Sequence, residues 1–294
     1  MNQLLSKWNK LTSIIISAMS DSAQPISFYD IALKPPVKEN ACSPNPTKAR
    51  MALNFKGVPY STTWVPLPDV SKVRRSLNVP PCRKFADGGD FYTLPVIVDP
   101  NTGSKIGDSF DIAVYLQKTY PDSGEGNLFP AQNLDYEYKA GAVVAVPLSD
   151  LQNEEFADYA KFNQQVDAVF TMHTGLAIQC FPFDPATEEI SKAEFARRVG
   201  VSSIDELNLT GEAREKVIQS FREALSGLAV LFQRDSSGPF LLGPKANYAD
   251  LIVGGWLRMM RGVLPTNEWE QLRGWHDGVF ARLYDALEVY REMK

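Results

Sequence analysis

Cysteine and histidine are scarce in this chain of 294 residues, and their scarcity argues against several kinds of site. Three cysteines, Cys42, Cys82 and Cys180, lie far apart, and the two histidines are His173 and His276. An odd and sparse cysteine count argues against a disulfide framework or a zinc site and favours a reducing compartment. Two histidines give little material for a histidine-based metal site or a serine-histidine-aspartate triad. We therefore expect a cytoplasmic protein without a metal.

Excess positive charge and long apolar runs are also missing. The chain has 30 Lys and Arg against 35 Asp and Glu, a formal net charge of -5, so a basic face for nucleic acid is not expected. No apolar run approaches the roughly 18 residues that a membrane span needs. The hydrophobic content of 44% is nevertheless enough for one large domain or two ordinary ones. The composition predicts a mildly acidic soluble protein that binds neither nucleic acid nor membrane.

The first residues, 1–24, form a segment of their own. An apolar stretch near Ile14 is followed by small residues, so a secretory signal is conceivable, but Thr12 and Ser13 break the stretch and it is short. We interpret residues 1–24 as an N-terminal extension that is flexible or amphipathic.

Residues 25–120 show the alternation of an α/β unit. The predicted elements are a strand at 26–31, a helix at 46–56, a strand at 60–65, a helix at 70–77, strands at 96–98 and 105–106, and a helix from 108. Pro46 fits the first helical position, which makes Asn45 the expected N-cap. The first two strands flank a helix, so we expect them to pair through a helical crossover.

The remainder of the chain is predicted to be helical. Residues 121–132 are rich in proline and glycine and are interpreted as a linker. Residues 133–294 contain no convincing strand. The helices predicted there are 134–151, 154–171, 190–199, 212–233, 248–264 and 269–292.

Two short motifs in the α/β unit predict a site that holds a peptide. Pro95 stands at the entry of a strand, where proline is tolerated. A cis peptide bond there would turn the N–H and C=O of Leu94 sideways, beside the helix that starts at Asp108 and Ser109. Asp108 suits a ligand ammonium group, and Ser109 with the helix N–H groups suits a carboxylate. Alternatively, the pair is a plain helix cap.

Three motifs in order resemble the glutathione transferase superfamily. Residues 93–97 are similar to the cis-proline loop of that family, residues 108–116 to its acid-serine pair, and residues 247–252 to the capping motif of the second domain's core helix. Asn247 and Asp250 in the last motif are expected to form a reciprocal helix cap. More narrowly, Ser43-Pro44-Asn45, the long loop at 80–90 and residues 238–243 resemble the fungal etherase-like, serine-type branch. Pro46 departs from that pattern, which has a small polar residue there.

The resemblance implies a fold, a co-substrate and a set of residues. The fold is a thioredoxin-like α/β domain followed by an all-α domain, and the activity is glutathione transfer in detoxification. Glutathione is the co-substrate, a small hydrophobic electrophile of aromatic or ether type is the partner, and a homodimer is expected. Leu94 and Pro95 would hold the cysteinyl part through the backbone, and Asp108 and Ser109 the γ-glutamyl end. Lys84 is a candidate for the glycyl carboxylate, although Arg83 and plain surface charge are equal explanations.

The chemistry needs a thiolate, because the thiol itself is a poor nucleophile. A hydroxyl donor and a helix N-terminus both favour the anion. Ser43 can supply the hydroxyl, and the amide of Asn45 could act in the same way; from spacing alone, both are equally well capping or turn residues. The resemblance makes Ser43 the favoured activating residue.

Two alternatives remain open at this point. Cys42, beside the same helix start, could form a mixed disulfide in a glutathione-dependent thiol reductase or deglutathionylase. The fold could also serve a non-catalytic protein that binds glutathione and aromatic ligands. The electrophile is expected between the two domains, and aromatic candidates for its contacts, none of them assigned, are Tyr138, Phe156, Tyr159, Phe162, Phe170 and Trp256.

Overall fold

The structure is a computed structural model that describes residues 24–85, 87–139 and 155–294. The expected N-terminal extension therefore lies outside the described residues, apart from Gln24. The predicted helix at 134–151 lies outside them from residue 140 onward.

The described part of that predicted helix, residues 134–139, forms no helix, and the prediction is wrong there. Leu134 and Tyr136 are buried while the residues between and beside them are exposed, which is a period of two. The backbone N–H of Tyr138 donates to the side chain of Gln165 at 2.8 Å. In a helix over 134–151 this N–H would instead be bonded to the carbonyl of Leu134. The apolar residues in this stretch are two positions apart, a spacing that does not fit the period of a helix.

The first region is built around a mixed sheet. Its elements are β1 (Ile26–Ala32), α1 (Val37–Asn40), α2 (Pro44–Phe55), β2 (Tyr60–Pro66), α3 (Val70–Ser76), β3 (Arg83–Lys84), β4 (Asp90–Phe91), β5 (Val96–Asp99), β6 (Ser104–Gly107) and α4 (Ser109–Thr119). The strand order is β2-β1-β5-β6, with β1 and β2 parallel and β5 antiparallel to both of its neighbours. The predicted crossover and thioredoxin-like arrangement are confirmed.

The loop predicted at 82–90 contains a small hairpin that the sequence pattern did not indicate. Its strands β3 and β4 have two residues each, and Arg83 lies opposite Phe91. Two residues are too few to show an alternation of apolar and polar side chains. The hairpin lies just before the segment that leads to Pro95.

Helix α2 begins two residues earlier than predicted. Its N-cap is Ser43, and Pro44 occupies the first helical position that was expected for Pro46. The first i+4 bond runs from Thr47 N to Ser43 O at 3.1 Å. The first N–H groups of a helix have no partner within it, so prolines at both Pro44 and Pro46 remove no bond from the helix. Asn45 is therefore a first-turn residue and not the cap.

The second region is helical. Its helices are α5 (Ala157–Thr171), α6 (Glu188–Val199), α7 (Gly211–Ala224), α8 (Ser226–Phe232), α9 (Tyr248–Val263), α10 (Thr266–Gly274) and α11 (Val279–Ala286). The long helix predicted at 269–292 is broken because His276, Asp277 and Gly278 all have positive φ angles, of 50, 59 and 70°. Among the described residues no helix is both long and apolar enough to cross a membrane.

Helix α9 packs directly on α2, and a buried ion pair joins α2 to the helical region. A Cβ atom at Gly255 would lie 2.7 Å from the Pro44 carbonyl oxygen, so glycine permits the close approach. The fully buried Lys48 Nζ lies 2.5 Å from Asp167 Oδ1 and donates to Asn163 Oδ1 at 2.9 Å. Trp256 Nε1 donates to the same Asp167 oxygen at 2.6 Å. These contacts fix the start of α2 against α5 and α9.

The predicted cap of α9 is confirmed. Asn247 accepts from Ala249 N at 3.0 Å, and Asp250 accepts from Asn247 N at 2.7 Å. The second oxygen of Asp250 accepts from Leu241 N at 2.9 Å, so one buried carboxyl group serves both the helix and the preceding loop. Burial raises the pKa of Asp250 to about 7.

We expect Asp250→Ala to lower the free energy of unfolding by about 2 to 4 kcal/mol, since it removes a cap and leaves two buried N–H groups without an acceptor. Urea denaturation measures this. Glu206→Ala is the matched control, because Ser203 and Glu206 form a capping box of the same kind at the surface; we expect it to cost under about 1 kcal/mol. Equal effects of the two substitutions would contradict the assignment.

Candidate functional site

A cavity of about 180 Å³ opens between the α/β region and the helices α5, α6 and α9. Its walls are mostly apolar. The residues that bear on its chemistry are Ser43, Asn45 and Leu94 from the first region, and Thr174, Arg198 and Trp256 from the second. The cavity therefore joins the predicted activating serine, the predicted peptide-holding loop and aromatic residues of the helical region, Trp256 among them.

Ser43 lines this cavity, and its hydroxyl is free to form a hydrogen bond. As the N-cap of α2 it would ordinarily accept a bond from the first turn, but its side chain makes no such bond. Within the described residues, its hydroxyl has no hydrogen-bond partner, whereas its carbonyl accepts from Thr47 Oγ1 at 2.8 Å. The residue is half-buried. A hydroxyl in this position can donate to an anion in the cavity.

Leu94 and Pro95 form the loop that the sequence predicted, and their peptide bond is cis. Leu94 lines the cavity, and its side chain is buried among Val65, Leu67 and Val96. The carbonyl of Pro95 accepts from Asp108 N at 3.2 Å, which places the start of α4 directly beside the loop. The two motifs of the predicted peptide site are thus adjacent in space.

Asp108 caps α4 in a strained conformation. Its φ of 78° and ψ of 138° fall in a region that residues other than glycine rarely adopt, and its carboxylate accepts from Phe110 N at 3.1 Å. Burial and the neighbouring carboxylate of Asp111 raise the pKa of Asp108 to about 6. Such strain persists where the surrounding structure imposes it, and strained residues occur most often at functional sites.

Asp108 faces a second cavity, of about 590 Å³, that is more polar than the first. Arg74, Cys82 and Asp111 also line this cavity. Arg74 donates to Thr93 O at 2.6 Å and to Cys82 Sγ at 3.0 Å, so it holds the approach to Leu94 from behind. The carboxyl group that the sequence proposed for the γ-glutamyl end, that of Asp108, is thus at one edge of the Leu94 loop.

Asn45 and Ser109 connect the two parts of the site. Ser109 Oγ lies 3.5 Å from Asn45 Oδ1, and Asn45 also lines the first cavity. Ser109 is 1% exposed, and its carbonyl accepts from Tyr248 OH at 2.9 Å. The structure therefore brings Ser43, Asn45, Leu94, Pro95, Asp108 and Ser109 into one neighbourhood.

Lys84 is not part of that neighbourhood. It lies on the β3–β4 hairpin with an exposed side chain, forms an ion pair with Asp90, and lines neither cavity. Arg198, on α6, lines the first cavity and was not predicted as a site residue. Its signal in the sequence was weak, because it is one of two adjacent arginines on a polar helix.

Cys42 points away from the cavity. Its side chain is 1% exposed and lies against α9, where a Cβ atom at Gly262 would come within 3.1 Å of the sulfur. Burial raises the pKa of the Cys42 thiol to about 12. A thiol of this kind stays protonated at neutral pH and is a poor nucleophile.

Of the aromatic residues that were candidates for the electrophile, Trp256 lines the first cavity. Phe162 and Phe170 are fully buried, and Phe170 stacks on Trp256 with ring centres 5.3 Å apart. Phe156 stacks on Phe129 at 4.2 Å. Tyr159 donates to the Pro130 carbonyl, and Tyr138 packs against the core. The cavity wall contains instead Thr171, Thr174, Phe181, Phe195 and Met259. In the described ranges, no cluster of three or more His, Cys, Asp or Glu could hold a metal ion.

We expect iodoacetamide to label Cys180 rapidly in the folded protein, Cys82 slowly and Cys42 last, because Cys180 is exposed and the other two thiols have raised pKa values, about 11 for Cys82. Peptide mass spectrometry after timed quenching measures this order. Labelling in 6 M urea is the control and should make the three rates similar. Early labelling of Cys42 in the folded state would restore it as a candidate nucleophile.

Comparison with known proteins agrees with this geometry. Residues 42–119 match the glutathione S-transferase N-terminal domain model, and residues 157–290 match a glutathione S-transferase C-terminal domain model. The glutathione S-transferase-like protein ustS of Aspergillus flavus is 28% identical over 91% of this chain and 91% of its own.

Two solved structures extend the similarity to the whole fold. A glutathione S-transferase of Ceriporiopsis subvermispora, in complex with glutathione, is 30% identical with a TM-score of 0.75, covering 92% of this chain and 99% of that one. Glutathione transferase GSTFuA3 from Phanerochaete chrysosporium is 27% identical with a TM-score of 0.74, covering 93% and 100%. With both domain models matched in order and this identity along nearly the full length of a solved member, the chain belongs to the glutathione S-transferase family.

Proposed function

We propose that this protein is a glutathione transferase of the serine type, which lowers the pKa of the glutathione thiol and directs the thiolate at a small electrophile of aromatic or ether type. The observation that carries the proposal is the unoccupied hydroxyl of Ser43 at the wall of an apolar cavity, next to the cis-Pro95 loop. The glutathione bound to the Ceriporiopsis subvermispora relative supports the choice of co-substrate.

In this proposal the peptide lies along the Leu94 loop. The backbone of Leu94 pairs with the cysteinyl residue, and the γ-glutamyl group lies at Asp108 and Ser109, where the carboxylate of Asp108 meets the ammonium. The amide nitrogen of Asn45, which has no hydrogen-bond partner within the described residues, is available to the same ligand. The thiol then enters the first cavity at Ser43.

The Ser43 hydroxyl has to stabilise the thiolate with less help from backbone N–H groups than the start of a helix usually gives. Free N–H groups in the first turn of a helix stabilise anions, but Pro44 and Pro46 have no N–H, and Thr47 N is bonded to Ser43 O. Asn45 supplies the remaining N–H of that turn. The hydroxyl of Ser43 is therefore the principal donor for a thiolate here.

The two alternatives differ from this proposal in what they require. A thiol reductase needs a reactive Cys42, and the burial and raised pKa of that thiol disfavour it. A non-catalytic carrier would bind glutathione and aromatic compounds without turnover. A panel of conjugation, peroxide and disulfide-exchange assays separates the three functions.

We expect Ser43→Ala to lower kcat/KM for conjugation by about 10- to 100-fold, because a hydrogen bond to an anion contributes about 1.5–3 kcal/mol. The thiolate absorbance of bound glutathione, titrated between pH 5 and 10, should shift to higher pH in this variant. Cys42→Ser is the matched control and should keep both values. Loss of disulfide exchange in Cys42→Ser, with Ser43→Ala unaffected, would establish the reductase instead.

Glutathione affinity should depend on the protonation of Asp108. Below pH about 6 this carboxyl group is neutral in the free protein and cannot neutralise the ligand ammonium. S-methylglutathione is the ligand for this measurement, because its blocked thiol cannot ionise on binding and the ordinary pKa values of its carboxyl and amino groups lie outside pH 5–7. We expect the Kd, measured by calorimetry, to fall as pH rises from 5 to 7, and Asp108→Asn to bind weakly at both pH values. A flat wild-type profile would contradict the role of Asp108.

The remaining parts of the proposal follow from the family resemblance. Residues 25–120 form the glutathione-binding domain, 121–132 the linker and 133–294 the domain that completes the electrophile site. The etherase-like branch, the homodimer and the cytoplasmic location stay predictions. Sedimentation analysis tests the dimer, and activity on aryl ether substrates tests the branch.

A further inference from the structure

Arg198 is the charged side chain at the wall of the cavity that contains Ser43. Among the described residues that line this cavity, the others are apolar or neutral. Arg198 comes from α6, a helix of the second region, whereas Ser43 and Leu94 belong to the first. An arginine facing an otherwise apolar cavity is costly to bury unless an anion or a hydrogen-bond acceptor accompanies it.

The head group of Arg198 is held in position and still has free donors. Its Nε donates to Glu194 at 2.9 Å, and its guanidinium carbon lies 5.0 Å from the centre of the Phe91 ring. The side chain is 12% exposed. Its two terminal nitrogens donate no hydrogen bond to the part of the chain that the structure describes. They form a planar pair suited to a carboxylate.

The direction of the Leu94 loop places Arg198 at one particular end of a bound peptide. The γ-glutamyl end lies toward Asp108, whose N–H bonds to Pro95 O. A peptide paired with Leu94 therefore extends its other end back along Thr93 toward Phe91. Arg198 packs on Phe91, and it interacts electrostatically with Cys82, which precedes the same hairpin.

We propose that Arg198 binds the glycyl carboxylate of glutathione, so that a helix of the second region completes the peptide site in place of Lys84. This inference rests on the proposed function. Lys84, the candidate from the sequence, is on the outer hairpin and is paired with Asp90. Phe195, one turn before Arg198, packs against the apolar cluster that contains Leu67 and Leu94 and keeps α6 over the loop. The site would then favour thiols that carry a free terminal carboxylate.

The experiment compares glutathione with its glycyl monoethyl ester, which has the same thiol and γ-glutamyl group but no terminal carboxylate. Calorimetry measures both ligands on wild type and on Arg198→Met. We expect the wild type to bind the ester about 10- to 100-fold more weakly than glutathione. Arg198→Met should bind both ligands with the affinity that the wild type has for the ester.

Arg197→Met is the matched control, because Arg197 is on the same helix, also pairs with Glu194 and packs on Phe85, but does not line the cavity. It should leave both affinities unchanged. Lys84→Met should do the same. If Arg198→Met does not fold, as circular dichroism would show, Arg198→Lys and the wild-type comparison of the two ligands still test the proposal.

Three results would overturn the inference. The wild type could bind the ester as tightly as glutathione, which excludes any contact with the carboxylate. Lys84→Met, and not Arg198→Met, could remove the preference for glutathione. Arg198→Met could raise the KM of the electrophile alone, which would make Arg198 a contact of that substrate. Failure of the wild type to bind either ligand at millimolar concentration would refute the proposed function itself and the inference with it.

Discussion

The buried contact of Lys48 with Asp167 is the interaction on which the site depends. Removing two charges from water costs several kcal/mol each, and the cost is recovered through short contacts and added hydrogen bonds. Here Asn163 accepts from Lys48, and Trp256 donates to the carboxylate of Asp167. Since Lys48 is five residues after Ser43, and Trp256 forms part of the cavity wall, the pair aligns the end of α2 that carries Ser43 with the opposite wall.

Close packing of α9 on α2 sets a second constraint on the same helix end. Gly255 permits contact with the Pro44 carbonyl, so the first turn of α2 is backed by the helical region and open to the cavity on its other side. Two prolines in that turn fix its backbone and remove two N–H donors. The turn is therefore rigid but electrostatically weakened as an anion site. In the proposed function, the free hydroxyl of Ser43 offsets that weakness.

Much of the fold could be predicted from the sequence, because its signals are local. The crossover of β1 and β2, the cis-Pro95 loop and the Asn247–Asp250 cap each depend on a few adjacent residues. The errors came from less regular segments. Residues 134–139 were assigned to a helix although their burial alternates, and the N-cap of α2 was displaced by the choice between Pro44 and Pro46. Arg198 lies 155 positions after Ser43 in the sequence. Nothing in the local pattern around it indicates that it lines the same cavity as Ser43.

The two ends of the proposed peptide site carry charges of opposite sign. Asp108 and Asp111 lie at one edge of the Leu94 loop, and Arg198 lies toward the other, near Phe91. A ligand with an ammonium at one end and a carboxylate at the other gains from both, whereas the reversed orientation places like charges together. The apolar walls between these ends lower the local dielectric and strengthen that preference. In the proposed complex, two charged groups from different regions of the chain orient the peptide and so deliver its thiol to Ser43.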